Sequence, residues 1–196
     1  MNKLAGMYEL RKLNIPSVDW KLFQEDTVLS ENRLWTIRTA VFQGADLHLP
    51  RLFGQNARDS MEFARKCLNE MNGRGIVIYY PYLHAVKSGV IQFGLSNTCL
   101  EVVSGDIKNL LDGGDPEASY YRKNTGWISE RNADLYNREE LEELFRYAEY
   151  CRRYFRNVLL ESREIQMEFS YAYDVDTDHR KAGETRLVFF EVRGVP

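Results

Sequence analysis

The sequence predicts an α+β fold in which antiparallel sheets carry flanking helices in two small lobes. Three observations lead there. First, Ile165 to Tyr173 and Thr185 to Arg193 each alternate with a period of two, and the polar run Asp174 to Glu184 between them joins them as a hairpin. Second, Lys87 to Gly94 and Thr98 to Ser104 are short strands separated only by Leu95, Ser96 and Asn97, so they pair antiparallel. Third, Ala57 to Met71 and the stretch from Asn137 to about Arg163 repeat apolar residues at helical spacing, the latter opened by Asn137 with Glu140 three residues on.

Taken in order, Asn2 to Leu13 is a short helix stopped by Asn14, Ile15 and Pro16. Lys3 falls in its first turn, where a cation opposes the helix dipole. A bound anion would remove that conflict, and a frayed end with a solvated lysine is the other reading. Leu34 to Val41 is a strand centred on Arg38, which either meets a carboxylate or phosphate inside the protein or turns outward from an edge strand. His48 to Gln55 reads as a loop whose Gly54 lets backbone approach a phosphate before the helix from Ala57. Gly75 to Leu83 is a buried strand ended by Pro81. Gly105 to Gly126 reads mostly as loop.

The terminal hairpin carries the chemistry. One face of its first strand holds Gln166, Glu168, Ser170 and Ala172; in the second, Leu187, Phe189, Glu191 and Arg193 share a face opposite Val188, Phe190 and Val192. A pairing that opposes Glu168 to Glu191 also opposes Gln166 to Arg193. Facing carboxylates repel. They become favourable with a hard cation between them, since Mg²⁺ takes one or two protein carboxylates and completes its shell with water and phosphate. A solvated outer face is the alternative.

Composition narrows the function. With 196 residues, 44% of them apolar, the chain can build its own core. A net charge of −3 supplies no basic field for nucleic acid or an anionic membrane, so neither is expected as a partner. Cys67, Cys99 and Cys151 are widely spaced without a CxxC pair, which fits a reduced setting. No charged-then-apolar leader and no membrane-length apolar run are present, giving the expectation of a soluble, cytoplasmic protein. Asp174, Asp176 and Asp178 have the spacing of a calcium loop, but His179 stands where the sharp bend needs glycine and Thr185 where the bidentate glutamate belongs. His48, His84 and His179 lie near no nucleophile motif and receive no catalytic role.

In order, these pieces resemble the ATP-binding domain of the pyruvate phosphate dikinase and phosphoenolpyruvate synthase family, an ATP-grasp fold. NKLAGMYELRKLNIP is similar to the opening Gly-Gly-Lys helix and its Gly-Ile-Pro, with Lys3 on the phosphate-binding lysine. Arg38 falls on the arginine of the Arg-Ser-Ser strand, and Phe53-Gly54-Gln55 is similar to the Ala-Gly-Gln loop over the phosphates. Tyr80, Pro81, Tyr82 and Leu83 fall on the adenine hinge, and Ser88-Gly89-Val90 on the family's Ser-Gly-Val. EIQMEFSYAY and LVFFEVRGVP resemble the terminal strands, placing Glu168 on the metal-binding glutamate, Glu191 on the usual glutamine and Arg193 on the arginine after it.

The resemblance implies an abridged N-terminal lobe over residues 1–74 and a C-terminal ATP-grasp lobe over 75–196. It implies ATP and Mg²⁺ as cofactors, with Lys3, Arg38, Gly54, Gln55, Tyr80, Tyr82 and Leu83 binding nucleotide, Glu168 and Glu191 the metal, and Arg38 and Arg193 as the catalytic arginines. The sequence departs from the family where Met1 and Asn2 replace the two glycines, where Gln166 replaces an acidic residue, and in a short span from Lys3 to Arg38. No stretch resembles the phosphohistidine domain or barrel of the full-length enzymes, so a phosphate acceptor is expected on a partner protein or as a small molecule. The expected activity is a kinase-like phosphotransfer. A degenerate nucleotide-sensing or protein-interaction module is the alternative.

Overall fold

The computed structural model describes residues 1, 3–44, 49–111, 114–123, 126–132, 134–161 and 163–195. The readings made above for Asn2, His48 and 112–113 lie outside them. The chain runs α1 (Lys3–Lys12), β1 (Lys21–Leu22), β2 (Trp35–Val41), β3 (Arg51–Gln55), α2 (Ala57–Met71), β4 (Gly75–Pro81), β5 (Leu83–Phe93), β6 (Thr98–Ser104), α3 (Lys108–Leu111), β7 (Ala118–Lys123), β8 (Gly126–Arg131), α4 (Arg138–Tyr154), α5 (Arg156–Leu160), β9 (Glu164–Asp174) and β10 (Arg186–Val195). The strands form two antiparallel sheets, a small one ordered β1-β4-β2-β3 and a large one ordered β10-β9-β5-β6-β7-β8. The fold is α+β. Among the described residues no helix is long and apolar enough to cross a membrane.

Each apolar face finds its own partner. Trp35 and Ile37 of β2 and Val77 of β4 pack with Ala57, Ala64, Cys67 and Met71 of α2. That helix starts at Asn56, whose side chain accepts from the Asp59 backbone N–H, and ends at Asn72 in the left-handed region. On the opposite face of the large sheet, Ile165, Met167 and Phe169 of β9 pack with Leu141, Leu144, Phe145, Ala148 and Cys151 of α4. A capping box of Asn137 and Glu140 opens α4. Between the sheets, Ile78 and Tyr80 meet Val188, together with Met7 and Trp20. The layers are therefore α2, small sheet, large sheet, α4, and the faces that meet in the middle carry the polar residues discussed below.

Four expectations are corrected. Arg51–Gln55 is a strand rather than loop, because it hydrogen-bonds to β2 with a register shift between Trp35 and Ile37. The Gly105 to Gly126 stretch holds α3 and β7 and the start of β8, a hairpin that extends the large sheet from β6. The helix expected to reach Arg163 is broken at buried Phe155, which leaves helical geometry at φ −90° and ψ 17°. Finally, the small sheet takes β4 from beyond residue 74, pairing it with both β1 and β2, so hydrogen bonding crosses the expected lobe boundary.

Candidate functional site between the sheets

The β9–β10 register opposes Glu168 to Glu191 and Gln166 to Arg193. A β-bulge between Phe189 and Glu191 makes this compatible with a core. Strict alternation would keep Glu191 on the face of Leu187 and Phe189, as the sequence reading had it. The extra residue, Phe190, switches the parity instead. Leu187, Phe189 and Val192 all join the α4-side core, while Val188 and Phe190 pack on the apolar cluster between the sheets and Glu191 turns to that same side. Glu168 and Glu191 are both buried, at 7% and 1% exposure.

Three cations converge on this pair. Arg38 sits in β2 between β3 and β4, an interior strand, so the outward-facing alternative fails; its Nη2 donates to Glu191 Oε2 at 3.0 Å. Lys3 Nζ lies 3.3 Å from the same oxygen. It arrives there because α1 lies directly on β10: a Cβ on Gly6 would come within 1.6 Å of the Val192 carbonyl oxygen, a contact only glycine permits. Arg193 donates through Nε to Gln166 Oε1 at 2.6 Å, and its Nη2 lies 3.9 Å from Glu168 Oε1. Glu191 Oε1 is buried with no hydrogen-bond partner.

Charge and burial set the protonation. Burial, reinforced by the facing Glu191, pushes the Glu168 carboxyl above the usual carboxylate range against the pull of Arg38, Lys3 and Arg193. Burial also raises the Tyr80 phenol, although Arg38 beside it opposes the rise. For Arg38, burial works against its charge, but Tyr80, Glu191 and Glu168 outweigh it and keep the guanidinium protonated.

A cleft of about 610 Å³, including its open mouth, adjoins this cluster. Arg38, Glu168 and Ser170 form its inner wall; Tyr80, Tyr82, Leu83, Phe53 and Phe190 supply aromatic and apolar surface; Arg51, Asp106 and Lys108 add charge. Of the residues singled out in the sequence, Arg38, Tyr80, Tyr82, Leu83 and Glu168 line the cleft. Glu191 joins it through its ion pair to Arg38, Lys3 through its ion pair to Glu191, and Arg193 through Glu168. Gly54, at φ +63°, lies against the ring of Tyr82, with which a Cβ would make contacts of 3.3 Å. Gln55 is exposed, and its amide donates to the Phe53 carbonyl at 3.4 Å.

Sequence reasoning missed Arg51, Asp106 and Lys108 because it assigned their segments to loops. Ser170 shares Glu168's alternation, which was a usable signal. Its hydroxyl lies 2.7 Å from that of Ser88, and Ser88 donates to the Gly105 carbonyl at 2.6 Å. The Asp174 to Asp178 loop holds its acids in local bonds: Asp176 accepts from the Asp178 and Arg180 backbones, and Asp174 pairs with Arg186.

Glu168 and Glu191 are the residues that could hold a metal here. Among the described residues no three His, Cys, Asp or Glu side chains cluster to cage an ion. Two facing carboxylates, with one buried oxygen still unpartnered, suit a cation that brings its own water and phosphate ligands, which is the habit of Mg²⁺. No protein-family model matches this sequence, and no curated protein is similar to it.

Proposed function

We propose that the cleft binds ATP with Mg²⁺ in the manner of an ATP-grasp domain of the pyruvate phosphate dikinase type, and that it passes a phosphoryl group to an acceptor from a partner protein or a small molecule. The single observation that carries this reading is the buried, directly opposed pair Glu168 and Glu191, enclosed by Lys3, Arg38 and Arg193 beside an aromatic-walled cleft. Facing carboxylates in a sheet are unfavourable on their own, and a polyphosphate with a divalent cation uses all five groups at once. Two antiparallel sheets meeting across a cleft are consistent with the ATP-grasp reading.

In this reading Tyr82 and Leu83 hold the base, Lys3 and Arg38 bind the phosphate chain, and Glu168 and Glu191 hold the metal. When bound, Mg²⁺ neutralises phosphate oxygens. The protein acts by fixing positive groups where charge develops during transfer, which needs no covalent step from the chain itself. Arg38 is the best placed of these, since its hydrogen bond to Glu191 fixes the guanidinium in advance on the wall of the cleft.

One observation favours a second reading, a module that binds without transfer: both carboxylates already have cationic neighbours, so the cluster is neutralised with no ligand bound. Calorimetric titration of ATP with and without Mg²⁺ separates the cases. Metal-dependent binding lost in Glu168→Ala and weakened in Lys3→Ala supports the first reading, and absence of binding at millimolar ATP eliminates both. Metal-dependent binding without hydrolysis or transfer across a panel of acceptors selects the second.

A further inference from the structure

The segment that follows β6 places one more cation at the cleft. Gly105 is fixed on two sides, by its N–H donating to the Val86 carbonyl at 2.7 Å and by its carbonyl accepting from Ser88 at 2.6 Å. Ser88 in turn meets Ser170 on the cleft wall. Because the Ser88 proton is given to Gly105, the proton in the Ser88–Ser170 contact comes from Ser170, and this serine presents lone pairs to the cleft. Asp106 then closes the turn: its Oδ1 accepts from the Lys108 N–H at 2.9 Å and its carbonyl from the Asn109 N–H at 3.1 Å. Asn109 donates back to the Ser104 carbonyl at 3.1 Å. The backbone that carries Lys108 is thus tied to the floor of the cleft.

The side chain is held far less firmly. Lys108 is half-buried, lines the cleft, and has its ammonium 4.4 Å from the centre of the Phe53 ring, on β3 of the other sheet. Among the described residues no carboxylate lies within ion-pair distance of it, and the Asp106 carboxylate is engaged with the backbone of the turn. Arg38, by contrast, is committed to Glu191. A lysine at a cleft mouth, resting on an aromatic face and lacking a counter-charge, holds a weak contact that an anion readily displaces.

We infer that Lys108 is a phosphate-binding residue of this cleft: its ammonium leaves Phe53 for the phosphate chain of the bound ligand and so ties the large sheet to the small one across the mouth. This rests on the proposed nucleotide-binding reading and adds to it a cation that the family resemblance did not assign. The ligand class is a polyphosphate ester, with the aromatic wall taking its base.

The test is titration of wild-type, Lys108→Ala and Lys108→Arg proteins with Mg-ATP and with inorganic tripolyphosphate, alongside the melting temperature of each unliganded protein. Lys108→Ala is expected to weaken both ligands by about tenfold or more, the size of a lost charge-assisted hydrogen bond, with the unliganded melting temperature unchanged and Lys108→Arg largely restoring affinity. Unchanged affinity for both ligands in Lys108→Ala overturns the assignment, as does a loss matched by a lower melting temperature and not rescued by arginine. Lys108-dependent binding of tripolyphosphate by a wild-type protein with no preference for ATP keeps the assignment and eliminates the nucleotide reading. A wild-type protein that binds neither ligand eliminates both.

Discussion

Two ion pairs tie the large sheet to the elements packed on its opposite faces, and they are built on different principles. On the α4 side, Lys87 of β5 bonds both carboxylate oxygens of Glu140 at 2.8 Å, and Oε2 also accepts the Asn137 N–H of the capping box at 2.9 Å. Both side chains are partly open to solvent, at 26% and 18%. On the cleft side, Glu191 is 1% exposed, gives Oε2 to both Lys3 and Arg38, leaves Oε1 with no partner, and faces a second buried carboxylate. The α4 side also holds an unpartnered buried atom, the Tyr136 hydroxyl, but that group is neutral and cheaper to leave unsatisfied than a carboxylate oxygen. The first pair satisfies every atom it contains and needs nothing else. The second leaves one buried carboxylate oxygen without a protein partner, and a buried polar atom of that kind calls for an explanation that the first pair does not need.

The sharpest way to break this contrast is to remove the central cation. Arg38→Met keeps much of the side-chain volume in β2 but leaves Glu191 and Glu168 buried with only Lys3 and Arg193 near them. Stripping one partner from a buried pair costs about 3–5 kcal/mol. Urea denaturation should show a loss of that size, and a loss below about 1 kcal/mol, the range of exposed pairs, would mean that the cleft cluster is no more demanding than a surface pair.

How much of this was legible in the sequence follows from the same cluster. The structure opposes Glu168 to Glu191 through the bulge, since the register of Leu187 on Tyr171 and Phe189 on Phe169, continued unbroken, would set Glu191 against Met167. Only a conditional could be read, that a pairing opposing Glu168 to Glu191 also opposes Gln166 to Arg193. The side to which Glu191 points could not, since a bulge is a tertiary choice: Phe189 and Val192 both fill the α4-side core, and alternation allows that only if Phe190 is inserted between them. Arg38 was visible as an anomaly, but whether its strand was interior or edge depended on β3, whose five residues carry a left-handed Gly54 and no clean alternation. Lys108 and Asp106 had no signal at all. Their place at the cleft comes from the anchoring of Gly105 by Ser88, a contact between positions 17 apart that no local pattern encodes.

A second prediction uses pH, and its expected effect is smaller because the cations stay in place. Glu168 has its carboxyl pKa raised by burial and by Glu191, so the folded protein holds this proton more tightly than the unfolded chain does. That contribution is fully present below the ordinary glutamate value of about 4.3 and is lost as pH rises through the raised value. Glu168→Gln, neutral throughout, should therefore match the wild-type protein in acid and become the more stable of the two toward neutral pH, as followed by urea midpoints over a pH series without ligand. Mg-ATP should reverse that order by stabilising only the protein that has the carboxylate. A wild-type advantage at neutral pH in the absence of ligand would show that Arg38, Lys3 and Arg193 already overcompensate the pair, and would favour the reading in which the cluster is complete on its own.

The smallest effect is expected on the α4 side. Lys87→Met retains the aliphatic stem over the Tyr136 ring, where the ammonium lies 4.9 Å from the ring centre, and removes only the charge. Glu140 would keep its bond from the Asn137 N–H and could turn its freed oxygens to water, since it is partly exposed. Exposed and half-exposed pairs contribute about 0.2–1 kcal/mol, so the urea midpoint should shift by no more than that range allows, and ATP affinity should stay at the wild-type value. A loss comparable to that of Arg38→Met would place the two ion pairs in one class. The unpartnered oxygen of Glu191 would then have to be explained by packing alone, with no ligand implied.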